Sequence, residues 1–190
     1  MWKVECRGGG TGRRAGLKIR WDLSLESSSL SLGTKLKRKL TSGLIMIYIG
    51  ADHQGRLVKA DLLAFLKSQE IGFEEVGENN YSPEDDYPDF AAAVSLRVLR
   101  DESNRGILLC GSGQGMAIAA NRFKGIRAGL CWNLEEVTLA RSDDDINVLC
   151  LPKTAFADES WQDIVKAFLE TEFKNAPKYS RRIEKLDRLP

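Results

Sequence analysis

The residues with the clearest potential for chemistry lie in the segment 105–122, which reads RGILLCGSGQGMAIAANR. An apolar run ends there at Cys110, and three alternating glycines follow it directly, namely Gly111, Gly113 and Gly115. Glycines allow the backbone to approach a ligand closely, and the first N–H groups of a helix have no partners within that helix. The positive end of the helix dipole also favours negative charge. The segment therefore predicts an anion-binding loop.

Cys110 is a candidate base or nucleophile. A thiol at the start of a helix feels the positive end of the dipole, so we expect its pKa to be lowered and its thiolate fraction to be raised. The alternative is a strand-end cysteine that packs as a small apolar side chain. The local sequence leaves both interpretations open.

The elements that must position this loop alternate between strand and helix from Met46 onwards, which predicts a parallel sheet covered on both faces. Strands are predicted at 46–51, 71–76, 105–110, 126–131 and 147–151. Helices are predicted at 55–69, 88–100, 114–122, 134–142 and 159–171, the first with an apolar stripe of Leu57, Leu62, Leu63 and Leu66. Ligands of such sheets bind outside the carboxyl ends of the strands. The candidates that fall at those ends are Asp52, His53, Cys110 and Ser112.

The composition predicts one soluble domain. A chain of 190 residues can bury most of its apolar surface, and no apolar run approaches the ~20 residues of a membrane span. Four cysteines, at positions 6, 110, 131 and 150, have neither the density of a disulfide scaffold nor the close pairing of a zinc site. We therefore expect a reducing, cytoplasmic environment, with Cys131 and Cys150 in the core, and neither a nucleic-acid nor a membrane partner.

The first 45 residues differ from the rest of the chain. They contain ten lysines or arginines and three acids, a net of +7, whereas 46–190 contains eighteen against twenty-four, a net of −6. They are also rich in glycine and serine and have little periodic hydrophobicity, which is typical of disorder. An organellar presequence, an electrostatic tail and an upstream extension that is not native are the alternatives. We favour the last, with 46–190 as the folded domain.

Several motifs resemble one known family. The stretch CGSGQGMAIAANRFKGIRAGLC resembles the core motif of type B ribose-5-phosphate isomerases, whose family also includes galactose-6-phosphate isomerase subunits. Four further segments agree in order and spacing between about Met46 and Leu186. They are MIYIGADHQG, YSPEDDYPDF, LARSDDDINVL and FLETEFKNAPKYSRRIEKL.

The resemblance implies a three-layer α/β/α Rossmann-like fold with a five-stranded parallel sheet. It also implies aldose–ketose isomerisation of a phosphorylated sugar through a cis-enediolate, with ribose 5-phosphate as the first candidate and allose or galactose 6-phosphate as alternatives. Cys110 matches the family's base, and Ser112 could pass a proton between the substrate oxygens, although a helix N-cap is its structural alternative. The positions implied to bind substrate are Asp52, His53, Tyr81, Gly111, Gly113, Gln114, Gly115, Asp144, Lys178 and Arg182. No metal or organic cofactor is implied.

The basic segment at the C-terminus is implied to hold the phosphate. Lys178 stands where an arginine is usual, and Arg182 follows four residues later on the same helical face. A lysine lacks the bidentate fork of an arginine, so weaker phosphate binding is expected. In the family this tail reaches the neighbouring subunit, which implies a homodimer with shared active sites.

One departure from the family concerns ring opening. The family commonly has a histidine where this chain has Asp143, and the only histidine of the chain is His53. The hypothesis is that isomerisation persists through Cys110, while ring opening is slower, assisted by Asp143 or spontaneous. A family member that binds sugar phosphates without catalysis is an alternative. Another is a dinucleotide-binding module with Glu135 as its acidic residue, but the spacing of the loop glycines argues against it.

Overall fold

The central feature of the structure is one parallel sheet of five strands. The structure, a computed structural model, describes residues 45–77, 84–157 and 160–189. Within them the strand order is β2-β1-β3-β5-β4. The strands are β1 (Ile47–Ala51), β2 (Phe73–Glu75), β3 (Arg105–Cys110), β4 (Ala128–Leu130) and β5 (Val148–Pro152). The predicted α/β fold with five parallel strands is confirmed.

The three central strands are almost entirely buried because their sequences are continuous apolar runs, as expected for strands covered on both faces. Ile107 of β3 lies between Ile49 of β1 and Leu149 of β5 in the register of the sheet. The edge strands β2 and β4 have only three residues each, fewer than predicted. Short edges expose few unpaired backbone groups.

The described ranges contain six α-helices, and the first five cover the sheet. They are α1 (Arg56–Ser68), α2 (Tyr87–Val98), α3 (Gln114–Ala120), α4 (Leu134–Asp144), α5 (Ser160–Glu170) and α6 (Pro177–Leu186), with a 3-10 helix at Lys153–Ala157. Buried side chains of α1, α4 and α5 pack on one face of the sheet, and those of α2 and α3 pack on the other. This arrangement gives the predicted three layers.

One detail of the α1 helix differs from expectation. Leu57 is 70% exposed, whereas Leu62 and Leu66 are fully buried. Five residues correspond to a rotation of about 140° around a helix, so Leu57 and Leu62 cannot share a face.

The basic segment after α5 forms a separate helix, α6, which packs against α4.

The described cysteines are all buried and free, and Cys131 and Cys150 belong to the core as predicted. Burial raises the pKa of Cys131 to about 12 and raises that of Cys150 as well. None of the helices in the described ranges is both long enough and apolar enough to cross a membrane. The basic extension, except Ile45, and the predicted substrate contact Tyr81 lie outside the described residues.

Candidate active site

Cys110 and Asp52 meet at the carboxyl edge of the sheet because their strands are neighbours. β1 and β3 pair in parallel register, and each of the two residues stands at or just after the end of its strand. The N–H of Asp52 donates to the carbonyl of Leu109 at 3.3 Å. Asp52 is only 4% exposed, and its side chain hydrogen-bonds with the Cys110 thiol. A buried carboxylate therefore faces the thiol directly.

The turn after β1 fixes the Asp52 carboxylate. Its Oδ1 accepts hydrogen bonds from the N–H of Gln54 at 3.0 Å and of Gly55 at 2.7 Å. A Cβ atom on Gly55 would collide with the carbonyl of Leu109, so this turn can lie against β3 only with glycine there. The Asp-His-Gln-Gly sequence is thus a rigid turn that aims one carboxylate at Cys110.

The expected lowering of the Cys110 pKa is wrong in direction. Burial raises the pKa of the thiol, and the hydrogen bond and negative charge of Asp52 raise it further. The N–H groups of Gly113 and Ser112 donate to the sulfur and oppose this shift, but they do not outweigh it. The sequence placed Asp52 at the same edge of the sheet, but it showed neither the contact of this carboxylate with the thiol nor how deeply the thiol is buried.

The glycine loop makes a tight turn that leads into α3, as its sequence predicts. Gly113 has φ +75°, and a Cβ atom there would lie 2.5 Å from Cδ1 of Leu130, so glycine is needed for both conformation and space. Gly113, rather than Ser112, occupies the N-cap position of α3. The exposed Ser112 hydroxyl accepts only a long bond, 3.4 Å, from the N–H of Gln114. It therefore remains accessible to a ligand.

His53 is held by a residue that the sequence did not single out. Oδ1 of Asp85 accepts the backbone N–H of His53 at 3.1 Å and lies 2.9 Å from its ring Nδ1. An ionised carboxylate favours the proton on Nδ1, which leaves Nε2 with the lone pair in the neutral ring. The two residues are 32 positions apart. The only indication of this role in the sequence was that Asp85 is an acidic residue directly before the Asp-Tyr-Pro-Asp motif.

Two further side chains of this edge were not predicted. Lys153, which follows β5, donates from Nζ to Oε1 of Gln54 at 2.6 Å and brings a cation to the turn after β1. Tyr87 places its ring against Gly115, where a Cβ atom would lie 2.8 Å from the ring. A cation and an aromatic ring thus border the turn and the glycine loop.

Four of the predicted site residues lie at the opposite edge of the sheet in the same chain, namely Asp143, Asp144, Lys178 and Arg182. α4 leaves the carboxyl end of β4 and returns to the amino end of β5, so Asp143 and Asp144, in its last turn, are near the start of β5. Five strand residues at about 3.3 Å each place that edge roughly 15 Å from the other. A single chain therefore does not bring Asp143 to Cys110.

The basic residues of α6 gather around one aromatic ring at this second edge. Tyr179 is buried, and Lys178 Nζ and Arg182 Cζ lie 4.4 and 5.7 Å from its ring centroid. Lys174, which the sequence did not indicate, lies 5.5 Å from the same centroid and forms a 2.6 Å ion pair with Asp143. Three cations and one carboxylate make an excess of positive charge that suits a phosphate.

Among the described residues, no group of three or more His, Cys, Asp or Glu side chains is arranged to hold a metal ion. The carboxyl edge carries a thiol, two carboxylates, an imidazole, a hydroxyl, an ammonium group and backbone N–H groups. Such groups can move protons next to a carbonyl and stabilise charge on oxygen.

Comparison with known proteins agrees with this geometry. The sequence pattern described as Ribose/Galactose Isomerase matches residues 47–186, which is most of the chain. The chain belongs to the ribose/galactose isomerase family. The match begins with β1 and ends with α6, so both edges of the sheet described above fall within it. Membership of this family argues against the alternative of a dinucleotide-binding module.

Curated members of the family support the assignment. The chain is 37% identical over 143 residues to a probable ribose-5-phosphate isomerase B of Mycoplasma genitalium, covering 75% of this chain and 93% of that protein. It is also 37% identical over 139 residues to ribose-5-phosphate isomerase B of Escherichia coli, covering 73% and 91%.

Solved structures of the family share the fold. A crystal structure of ribose-5-phosphate isomerase B from Mycoplasma genitalium, with bound ribulose-5-phosphate, has a TM-score of 0.71 and 36% identity over 76% of this chain and 95% of that one. The enzyme from Thermotoga maritima has a TM-score of 0.71 and 40% identity, covering 76% and 98%. The isomerase fold is therefore present from one edge of the sheet to the other.

Proposed function

We propose that this protein interconverts ribose 5-phosphate and ribulose 5-phosphate through a cis-enediolate. The observation that carries the proposal is the contact of the Cys110 thiol with Asp52 and with two backbone N–H groups, in a chain of the ribose/galactose isomerase family. The relative from Mycoplasma genitalium whose structure contains ribulose-5-phosphate has the same fold.

In this mechanism Cys110 is the base. Its thiolate takes the proton from C2 of the open-chain aldose, and the electrons of that bond form the enediolate while negative charge moves to O1. The thiol then returns a proton to C1, which gives the ketose. A hydrogen must move between O2 and O1 during the same conversion, and the accessible hydroxyl of Ser112 is suited to relay it.

The raised pKa of Cys110 sets a requirement on this mechanism. The thiol must lose its proton before it can act, and Asp52 is the hydrogen-bonded acceptor beside it. The N–H groups of Ser112 and Gly113 stabilise the resulting negative charge, first on sulfur and then on the substrate oxygens. His53, fixed by Asp85, and the turn around Asp52 hold the sugar hydroxyls.

We propose that the active site is completed by a second copy of the chain in a homodimer. The phosphate-binding candidates Lys178 and Arg182 and the ring-opening candidate Asp143 lie at the edge opposite Cys110. In a symmetric dimer, the carboxyl edge of each chain can face the opposite edge of its partner, so that two complete active sites form. In this assembly Lys178 and Arg182 hold the phosphate, Asp144 contacts substrate and Asp143 assists ring opening.

We further propose that residues 46–190 form the catalytic domain and 1–45 an extension without a catalytic role. Purified protein that lacks residues 1–45 should retain the activity of the full chain. Loss of activity in that variant would contradict the assignment of 46–190 as the catalytic domain.

We place the enzyme in the cytoplasm, because the described cysteines are all free thiols.

The central test is an isomerase assay without added metal. Ribose 5-phosphate should be converted to ribulose 5-phosphate, and Cys110→Ser should lower kcat by roughly 10²–10⁴-fold. Cys131→Ser is a matched control, since this buried thiol lies in the core. Activity that survives in Cys110→Ser would overturn the assignment of the base. A wild-type protein active only on allose or galactose 6-phosphate would change the substrate, and inactivity on all three would favour a binding role.

Shared active sites can be tested by mixing two inactive variants. Cys110→Ser and Arg182→Gln should each be inactive alone, and heterodimers that form after dissociation and reassociation should have one site with neither substitution. A random mixture should regain about a quarter of wild-type activity. No regain, in a mixture shown to contain heterodimers, would mean that each site is built from one chain.

A further inference from the structure

Asp143 has a cationic partner held in hydrogen-bond contact. Its Oδ1 accepts a hydrogen bond from Nζ of Lys174 at 2.6 Å and another from the hydroxyl of Ser142 at 2.8 Å. The Asp143 side chain also hydrogen-bonds with Tyr179. The carboxylate is thus oriented by three side chains.

Lys174 is positioned by its backbone as well as by its charge. Its N–H donates to the carbonyl of Ser142 at 3.0 Å, so the segment after α5 is attached to the last turn of α4. Its ammonium lies 5.5 Å from the ring centroid of Tyr179. The lysine side chain is 50% exposed and that of Asp143 is 27% exposed. Both polar groups are therefore ordered and accessible from solvent.

The two groups keep each other ionised. The hydrogen bond from Lys174 and then that from Ser142 lower the pKa of Asp143, and the hydrogen bond to Asp143 raises the pKa of Lys174. At neutral pH the pair consists of a carboxylate that can accept a proton and an ammonium that carries one. A carboxylate alone has no proton to give.

We propose that Asp143 and Lys174 act together as the acid–base couple that opens the sugar ring before isomerisation. This inference rests on the proposed function and on the shared site. The Asp143 carboxylate takes the proton from the anomeric hydroxyl, and the electrons of that O–H bond form the carbonyl at C1. The bond from C1 to the ring oxygen breaks, and that oxygen receives a proton from the Lys174 ammonium.

The couple then returns to its starting state without a further reactant. The protonated Asp143 and the neutral Lys174 amine are still in hydrogen-bond contact, and one proton passes from carboxyl to amine. No net proton is gained or lost. The ammonium is an adequate acid for this step because an alkoxide is a much stronger base than an amine.

The position of the couple fits a sugar whose other end is held as a phosphate. Lys178 and Arg182, the phosphate-binding candidates, contact the same Tyr179 ring as Lys174. One bound pentose phosphate can therefore be held by its phosphate while its ring faces Asp143. The same arrangement places the couple in the partner's site, opposite Cys110.

The test separates ring opening from isomerisation by using the Cys110→Ser protein. Exchange between the α and β anomers of ribose 5-phosphate, labelled with 13C at the anomeric carbon, is followed by exchange NMR. Cys110→Ser should accelerate this exchange above the rate in buffer. The double variants with Lys174→Met or Asp143→Asn should lose about tenfold or more of that acceleration.

Two further variants distinguish proton donation from a structural role. Lys174→Arg keeps a positive charge and hydrogen-bond donors, but a guanidinium does not release a proton. In the Cys110→Ser background, anomer exchange with Lys174→Arg should be as slow as anomer exchange with Lys174→Met. Lys166→Met, which removes another exposed lysine paired with a carboxylate, should leave exchange unchanged. Thermal unfolding of each variant checks that it is folded.

Three results would overturn the inference. They are no acceleration by Cys110→Ser, unchanged acceleration after Lys174→Met, and recovery in Lys174→Arg, which would make Lys174 a positioning residue only. These results are independent of the isomerase assay. A wild-type protein that exchanges anomers but does not isomerise contradicts the proposed function, whereas one that isomerises without accelerating anomer exchange contradicts only this inference.

Discussion

The carboxylate of Asp52 raises the pKa of the Cys110 thiol, against the effect of the two N–H groups that the glycine loop directs at the same sulfur. The candidate base is therefore protonated more completely than an ordinary exposed cysteine. In the proposed mechanism, substrate turnover requires this thiol to lose its proton.

Asp52→Asn should lower the pKa of Cys110, because it removes the negative charge and keeps an oxygen that can accept the N–H groups of Gln54 and Gly55. At neutral pH the thiolate fraction should rise and alkylation of Cys110 by iodoacetamide should be faster than in wild type. The pH dependence of alkylation measures the shift. A pKa that stays the same or rises would contradict the role given to Asp52.

The pH dependence of isomerisation should follow the same group. Because the pKa of Cys110 is raised and its thiolate is the proposed base, kcat/KM of the wild type should increase as the pH rises from neutral into the alkaline range. In Asp52→Asn the rising limb should move to lower pH. A limb at the same pH in both proteins would mean that another group controls it.

Asp85→Ala should weaken catalysis through His53. Both the backbone N–H and the ring Nδ1 of His53 lose their shared partner, so the ring is no longer fixed. We expect kcat/KM to fall by roughly tenfold, as for loss of a hydrogen bond to a charged group. Asp86→Ala is the control, since its side chain makes no capping hydrogen bond to α2. Equal effects of the two substitutions would argue against a specific role of Asp85.

Gly113→Ala should destabilise the fold. Alanine at φ +75° is strained, and its Cβ atom would lie 2.5 Å from Leu130, so the free energy of unfolding should fall by about 1–3 kcal/mol. Gly111→Ala is a matched control, because a Cβ atom there meets Gln54 only at an ordinary 3.5 Å. Urea denaturation measures both variants. Similar losses in the two would show that the glycine at 113 has no special conformational role.

Stability should decline above the ordinary thiol pKa of about 8.5. The pKa values of Cys131 and Cys150 are raised in the folded protein, so the unfolded state binds fewer protons there and unfolding becomes more favourable as pH rises. Each buried thiol contributes at most about 1.4 kcal/mol per pH unit. Cys150→Ala should reduce this slope, although a cavity lowers its stability at every pH. An unchanged slope would exclude Cys150 as a source.

The site at the carboxyl edge of the sheet could be predicted from the amino-acid sequence alone. Apolar runs define β1 and β3, and parallel strands bring their carboxyl ends to one edge, so Asp52, His53 and Cys110 are expected at the same edge of the sheet. The glycine pattern likewise predicts a tight loop, because backbone conformation is a local property. The resemblance placed Lys178 and Arg182 on one basic helical segment, which the structure forms as α6.

The effects of these groups on one another could not be predicted, because they depend on contacts between distant segments of the folded chain. The Asp85 contact with His53 joins positions 32 apart, and the raised pKa of Cys110 depends on burial and on a carboxylate from another strand. The pairing of Asp143 with Lys174 similarly joins α4 to the segment after α5. Such interactions depend on distances between segments that sequence spacing does not specify. For the same reason, only the fold shows that Asp143 and Cys110, both assigned to the site by resemblance, lie at opposite edges of the sheet within one chain.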